Sequence, residues 1–323
     1  MMVRLLMLIE VLFCMVIGCR NEEAPIAKEG AGFATVQTPP ADCKKFTPPW
    51  GDEYWEDWGK THGEEFEKWY MATMPAMKNV TTADIEKCAH LDNFFVGFSK
   101  LDTLVPFAKM THLRKLDLRF STGIKDLTPL KDLKNLEELT IWGTGVTDLT
   151  PVKDLPKLRR LDAKMTQISD LTPIAEMKSL FTLDVLQSQV ADITPLADHP
   201  ALSEVVLCST KVRDIAPLYG YAERISYLDL CNTLIPDVMV LTRFKKAQKL
   251  KLWGLPIKDA ELFAGMADLR CLDLRNTPVS SLRPLEKLEK LETLIVAETK
   301  VSKQEIVRFK KVRPTVNVVE FVE

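Results

Sequence analysis

The feature that most constrains this chain is a 22-residue sentence written again and again. Asp126 to Thr147 reads DLTPLKDLKNLEELTIWGTGVT. The wording returns from Asp148, Asp170 and Asp192, and with small departures from Asp214, Asp237, Asp259 and Ser281. A unit this short cannot bury a core alone, so a fixed period predicts stacked units sharing one continuous core. The 46% apolar content is ample for that core.

The positions within one period assign its parts. Leu136, Leu139 and Ile141 recur as Leu158, Leu161 and Ala163, then as Leu180, Leu183 and Val185. Leu139 and Ile141 are two apart and share one face of a short strand; Thr140 and Trp142 take the other. Each unit therefore contributes one strand with an apolar inner face, paired in parallel with the next. Pro recurs at positions 106, 129, 151, 173, 195, 217 and 284. Proline fixes φ and lacks an N–H, so this return segment reads as a short turn or 3-10 helix on the convex side. Ser121, Thr144, Thr166, Ser188, Thr210, Thr233, Thr277 and Thr299 stand where each strand ends. Their hydroxyls are expected to satisfy backbone groups in the turn.

The LxxLxxLxLxxT run and the D-L-T-P-L opening resemble the leucine-rich repeat family, most closely the 22-residue class of the internalins. The likeness spans about two-thirds of the chain. It implies an α/β solenoid, a horseshoe with a parallel sheet on the concave face and short turns or 3-10 segments on the convex face. The family usually has Asn where this chain has Thr.

The period also lays out the concave surface. One column of sheet-face positions runs Phe95, Asp117, Thr140, Asp162, Asp184, Val206, Asp229, Lys251, Asp273 and Ile295. Its neighbour runs Gly97, Arg119, Trp142, Lys164, Leu186, Cys208, Cys231, Trp253, Arg275 and Ala297. Trp and Arg dominate interfaces. The candidate binding residues are therefore Arg119, Trp142, Asp162, Lys164, Asp184, Asp229, Lys251, Trp253, Asp273 and Arg275. The two tryptophans are expected to be exposed, which argues for a partner. The competing reading is that Asp and Arg neutralise one another across strands.

Outside the repeats the chain changes character. Residues 1–19 read as an export signal: Arg4, an apolar run interrupted by Glu10, then Val16-Ile17-Gly18-Cys19. The ending resembles the bacterial lipoprotein signal, which implies lipidation of Cys19 and a membrane tether; the alternatives are an ordinary secretory signal or a short anchor helix. Arg20 in place of Asp implies, in a two-membrane bacterium, the outer membrane. Residues 20–50 read as a flexible linker. In residues 51–80, Trp55, Trp58, His62, Phe66 and Trp69 make one helical stripe among acidic residues. That stripe reads as an N-terminal cap, or alternatively as a sugar- or peptide-binding surface. Residues 81–302 hold about ten repeats. Residues 303–323 read as a C-terminal cap, with a helix over 304–311 and then a strand. The Asp214 repeat carries an extra residue and the next two lack the Pro, so local irregularity is expected there.

Cys43 and Cys88 flank the N-terminal cap and are candidates for a disulfide in an oxidising compartment. Cys208 and Cys231 share a register on neighbouring strands, where a disulfide is possible but uncommon; Cys271 is expected to be unpaired. The histidines at 62, 90, 112 and 199 are scattered, no spacing suggests a metal or cofactor, and no Gly-rich phosphate loop is present. His199 takes the position of Leu133 and Leu155 and reads as a packed replacement. A net charge of -2 argues against a nucleic-acid partner.

The expected function is non-catalytic: a membrane-anchored protein that binds a protein partner through the concave sheet, with internalin likeness implying adhesion or host contact. The alternatives are a cell-envelope scaffold or regulator, and a glycan- or peptidoglycan-binding lipoprotein.

Overall fold

A computed structural model describes Cys43 and residues 77–320. The stripe of residues 51–76, the linker apart from Cys43, and the signal-like segment with Cys19 lie outside the described residues. Eleven three-residue strands form one parallel sheet in strict chain order. They are β1 (Asn93–Phe95), β2 (Lys115–Asp117), β3 (Glu138–Thr140), β4 (Arg160–Asp162), β5 (Thr182–Asp184), β6 (Glu204–Val206), β7 (Tyr227–Asp229), β8 (Lys249–Lys251), β9 (Cys271–Asp273), β10 (Thr293–Ile295) and β11 (Asn317–Val319). The central residues of β2 to β10, Leu116 through Leu294, are all essentially inaccessible and stack into the core. Unclosed at both ends, the sheet is the inner side of a solenoid.

The return segments are short 3-10 helices, such as Thr128–Leu130 and Thr150–Val152, each with Pro in its first turn. The Asp that opens each period explains why. Asp126, Asp148, Asp170 and Asp192 each accept a hydrogen bond of 2.8 Å from the backbone N–H two residues on. Asp237 and Asp259 do the same at 2.9 Å where Pro is missing, capping Val238–Arg243 and Ala260–Phe263. The expected irregularity therefore amounts to longer 3-10 helices on the convex side; Ala216–Tyr221 absorbs the extra residue. The sheet runs through β7, β8 and β9 without a break in register.

The hydroxyl column behaves as its position requires. Thr144, Thr166, Thr210, Thr233, Thr277 and Thr299 each donate to the carbonyl three residues back, at 2.6–2.7 Å. Immediately before this column sits a ladder that the pattern did not disclose. Phe98, Phe120, Gly143, Met165, Gln187, Ser209, Asn232, Gly254, Asn276 and Glu298 all have positive φ, between 48° and 78°. Only two are glycine, so most of these turns hold a conformation that costs roughly 1–3 kcal/mol for other residues. The compensation is visible: their N–H groups donate to the next unit, as in Phe120 to the Trp142 carbonyl at 2.7 Å and Asn232 to the Trp253 carbonyl at 2.7 Å. The ladder thus continues to the N–H three residues past each strand.

At one end, helix α1 (Thr82–Lys87) is capped reciprocally by Thr81 and Asp84, and Cys88 after it is disulfide-bonded to Cys43. At the other, helix α2 (Lys303–Val312) leads into β11, which pairs with β10. Glu305 on α2 accepts from the Leu282 N–H at 2.9 Å and Arg313 donates to the Leu288 carbonyl at 2.5 Å, fastening the helix to the preceding repeat. His199 is buried as a replacement leucine would be; its Nδ1 accepts from the Leu202 N–H and its Nε2 faces the Ile174 carbonyl, with burial holding its pKa below the ordinary value. Among the described residues no helix is long and apolar enough to cross a membrane.

Candidate functional site: the concave sheet

Strand register aligns the first column as the period implies: Phe95, Asp117, Thr140, Asp162, Asp184, Val206, Asp229, Lys251, Asp273 and Ile295 lie side by side. The second column follows two residues further along each rung.

The charges of these two columns neutralise one another chiefly along a rung rather than across rungs. Arg119 pairs with Asp117, Lys164 with Asp162 at 3.1 Å, and Arg275 with Asp273 at 2.6 Å. Residues i and i+2 share a strand face, so an Asp-x-Arg or Asp-x-Lys rung closes on itself. Lys164 also crosses to Asp184, at 3.5 Å. All of these except Asp184 are buried, and so is Asp229.

The expectation of an exposed tryptophan pair is corrected. Trp142 is only 7% exposed. Phe120 lies against it with ring centroids 4.6 Å apart, Phe98 continues the stack at 5.0 Å, and the Lys164 ammonium stands 4.8 Å from the indole. The positive-φ ladder places Phe98 and Phe120 beside the second column, and so fills the space around Trp142. Its indole N–H has no hydrogen-bond acceptor. Trp253 differs: it is half-buried, with the Arg275 guanidinium 5.8 Å from its ring. Lys251 and Asp184 are half-buried as well.

A third column went unread. Lys115, Glu138, Arg160, Thr182, Glu204, Tyr227 and Lys249 stand in register on the same face, two residues before the first column. Lys115 pairs with Glu138 at 3.2 Å and Thr182 donates to Glu204 at 2.7 Å. Subtracting two from each first-column position would have found it. Lys251 lies 5.5 Å from the Tyr227 ring, so this column and the first meet around β7 and β8.

The cysteines divide. Cys208 and Cys231 are free, buried thiols and are not joined to each other. Burial pushes the Cys231 thiol well above its ordinary range. With Asp229 they form one cluster whose sulfur and carboxylate oxygen atoms all lie within 4.8 Å of one another. No spacing along the chain suggested it, because the three donors come from two rungs and two columns. Cys271, expected to be unpaired, is disulfide-bonded.

A sequence profile described as Leucine Rich repeats (2 copies) matches residues 111–157. The chain folds as a leucine-rich-repeat solenoid. Among solved structures it is similar to an internalin from Listeria monocytogenes, at 22% identity and a TM-score of 0.64, covering 74% of this chain and 70% of that one. An internalin C2 from the same organism is 26% identical with a TM-score of 0.52, covering 68% of this chain and 84% of that one. A leucine-rich-repeat protein of Leptospira interrogans is 19% identical with a TM-score of 0.62; the likeness covers 73% of this chain and 62% of that one. No curated protein sequence matches. The solenoid's two edges and its convex 3-10 side follow from the repeat; its concave face carries what is particular to this chain.

Proposed function

We propose that this solenoid is exported, tethered by lipid at Cys19, and binds a protein partner through its concave sheet. The observation that carries the reading is the surface around β7 to β9. There the half-buried Trp253, Lys251 and Tyr227 are presented on a rigid sheet, with Arg275 already oriented by Asp273. An aromatic anchor ringed by fixed charges is the composition that dominates protein interfaces, and a preorganised side chain loses little entropy on binding. Asp184 extends the same surface toward β5. The buried Arg119, Asp162, Lys164, Asp229 and Asp273 shape the face, and Trp142 stiffens it from within.

Residues 1–19 would direct export, residues 20–50 would space the solenoid from the lipid surface, and residues 51–80 and 303–323 would cover the ends of the stack. The signal's resemblance supports an outer-membrane location in a two-membrane bacterium. Internalin likeness supports adhesion or host contact by analogy alone.

The test is a cross-linking pull-down with the full chain as bait. Trp253→Ala and Lys251→Glu should release the captured partner, while Lys153→Glu on the convex side should keep it. Capture that is equal in all three variants would remove the concave sheet as the interface. Fractionation of cells carrying Cys19→Ser checks the anchor: the variant should leave the membrane pellet, and its persistence there would refute lipid tethering.

A further inference from the structure

The concave rungs follow a rule that one rung breaks. Asp117, Asp162 and Asp273 are buried carboxylates, and each has a cation two residues later on the same strand. Asp184 has Leu186 there, but it is half-buried and lies 3.5 Å from Lys164. At Asp229 the partner position is Cys231. Asp229 is only 4% exposed, and among the described residues no Lys or Arg nitrogen lies within ion-pair distance of it. A buried carboxylate without a counter-charge is unfavourable, so this rung lacks the positive group its neighbours possess.

Two thiols stand where that group would be. Cys231 is on the same rung, Cys208 is its neighbour in the second column, and both are free. We propose that Cys208, Asp229 and Cys231 bind a single zinc ion. Two thiolates and one carboxylate form a donor set that zinc takes readily, and three protein ligands leave a fourth position for water or a group from a partner. Zinc–sulfur bonds of about 2.3 Å and a zinc–oxygen bond of about 2.0–2.2 Å place tetrahedral ligands roughly 3.5–3.8 Å apart. The donor atoms lie within 4.8 Å of one another, so closing around the ion needs only side-chain rotation and small shifts.

The surroundings support the ligands as outer-shell partners do. Asp229 Oδ1 accepts from the Cys231 N–H at 3.0 Å, and Oδ2 accepts from the Tyr227 hydroxyl at 3.3 Å, which fixes the carboxylate plane. Leu186, Val206, Met165 and Trp253 pack around the thiols and limit water's access. On binding, each thiol gives its proton to solvent. Two thiolates, one carboxylate and a divalent ion leave a single negative charge. Lys251, paired in register with Asp229 and lying over the Tyr227 ring, is the cation on the next rung that would offset it. The site does not depend on the identity of a protein partner or on the lipid tether.

The experiment uses the full chain, stripped of metal with a chelator, kept reduced and titrated with Co2+. One equivalent should bind, with the intense thiolate-to-cobalt absorption and visible bands of a tetrahedral ion, and Zn2+ should bleach both. Cys208→Ser and Cys231→Ser should each lose the charge-transfer band. Asp229→Asn, which keeps an acceptor for the Cys231 N–H, should weaken uptake by at least about 10-fold. Cys43→Ser with Cys88→Ser should bind as the parent does, which excludes those thiols as the source. Circular dichroism keeps the comparison to folded protein. The site is refuted by a folded parent that takes no cobalt, by an absorption that survives Cys208→Ser, or by a Cys208–Cys231 disulfide in protein isolated from its own compartment.

Discussion

Arg275 folds back along its own strand and donates to both carboxylate oxygens of Asp273, from Nε at 3.0 Å and from Nη2 at 2.6 Å. Both residues are buried, so each makes the other tolerable. Removing one partner strands a charge, whereas replacing both removes the desolvation cost together with the attraction. Arg275→Met should therefore destabilise the solenoid by about 3–5 kcal/mol, while Asp273→Leu with Arg275→Met should cost far less. Urea unfolding of the two variants decides it; a double variant less stable than the single would show that the pair is held by something other than its own charges.

The two tryptophans should separate stability from binding. Trp142 is packed against Phe120 and nearly inaccessible, so Trp142→Ala opens a cavity and should cost about 3–5 kcal/mol. Trp253 is half-buried, and Trp253→Ala should cost less than Trp142→Ala while weakening capture of a partner. Thermal melts beside a pull-down supply both readouts. Equal losses of stability would place the two indoles in equivalent environments, contrary to their packing.

The hydroxyl column is a smaller and cleaner case. The Thr233 hydroxyl donates to the Leu230 carbonyl at 2.7 Å, and the Thr233 N–H reaches the same oxygen at 3.2 Å. Thr233→Val keeps the shape and removes only the hydroxyl bond, so it should cost about 0.5–1.5 kcal/mol. A neutral result in chemical unfolding would mean that the backbone bond alone satisfies that carbonyl.

Much of this architecture is legible because it is periodic. Leu139, Leu161 and Leu183 had to share a face, and once they did, the register of the Asp117-to-Ile295 column followed from counting. The exposure of single residues did not follow. Whether Trp142 is open depends on Phe98 and Phe120, whose positive-φ turns carry no glycine to announce them. Whether Asp162 is free depends on Lys164 two residues later, a pairing visible in sequence only when a strand face is read along the chain as well as across it. The cluster of Cys208, Asp229 and Cys231 needed both readings at once, since its donors are 23, 2 and 21 residues apart but adjacent on two rungs.

The acid limb of stability should carry the mark of Glu305. Arg308 donates to both of its carboxylate oxygens and the Leu282 N–H adds a third bond, so its pKa in the folded chain is pushed down to about 2 from an ordinary 4.5. Asp126, Asp170 and Asp192 are shifted in the same direction, chiefly by the Thr two residues on. A depressed folded pKa means that the unfolded chain binds more protons in this window. The contribution is therefore complete above the ordinary value and is lost as pH falls toward 2. Glu305→Gln keeps an acceptor for the Leu282 N–H but cannot titrate. Between about pH 5 and pH 2 the parent should lose stability more steeply than this variant, and the two should converge at the acid end. Urea midpoints measured across that range check the slope, and parallel curves would mean that the bridge from α2 to the last repeat contributes nothing through its charge.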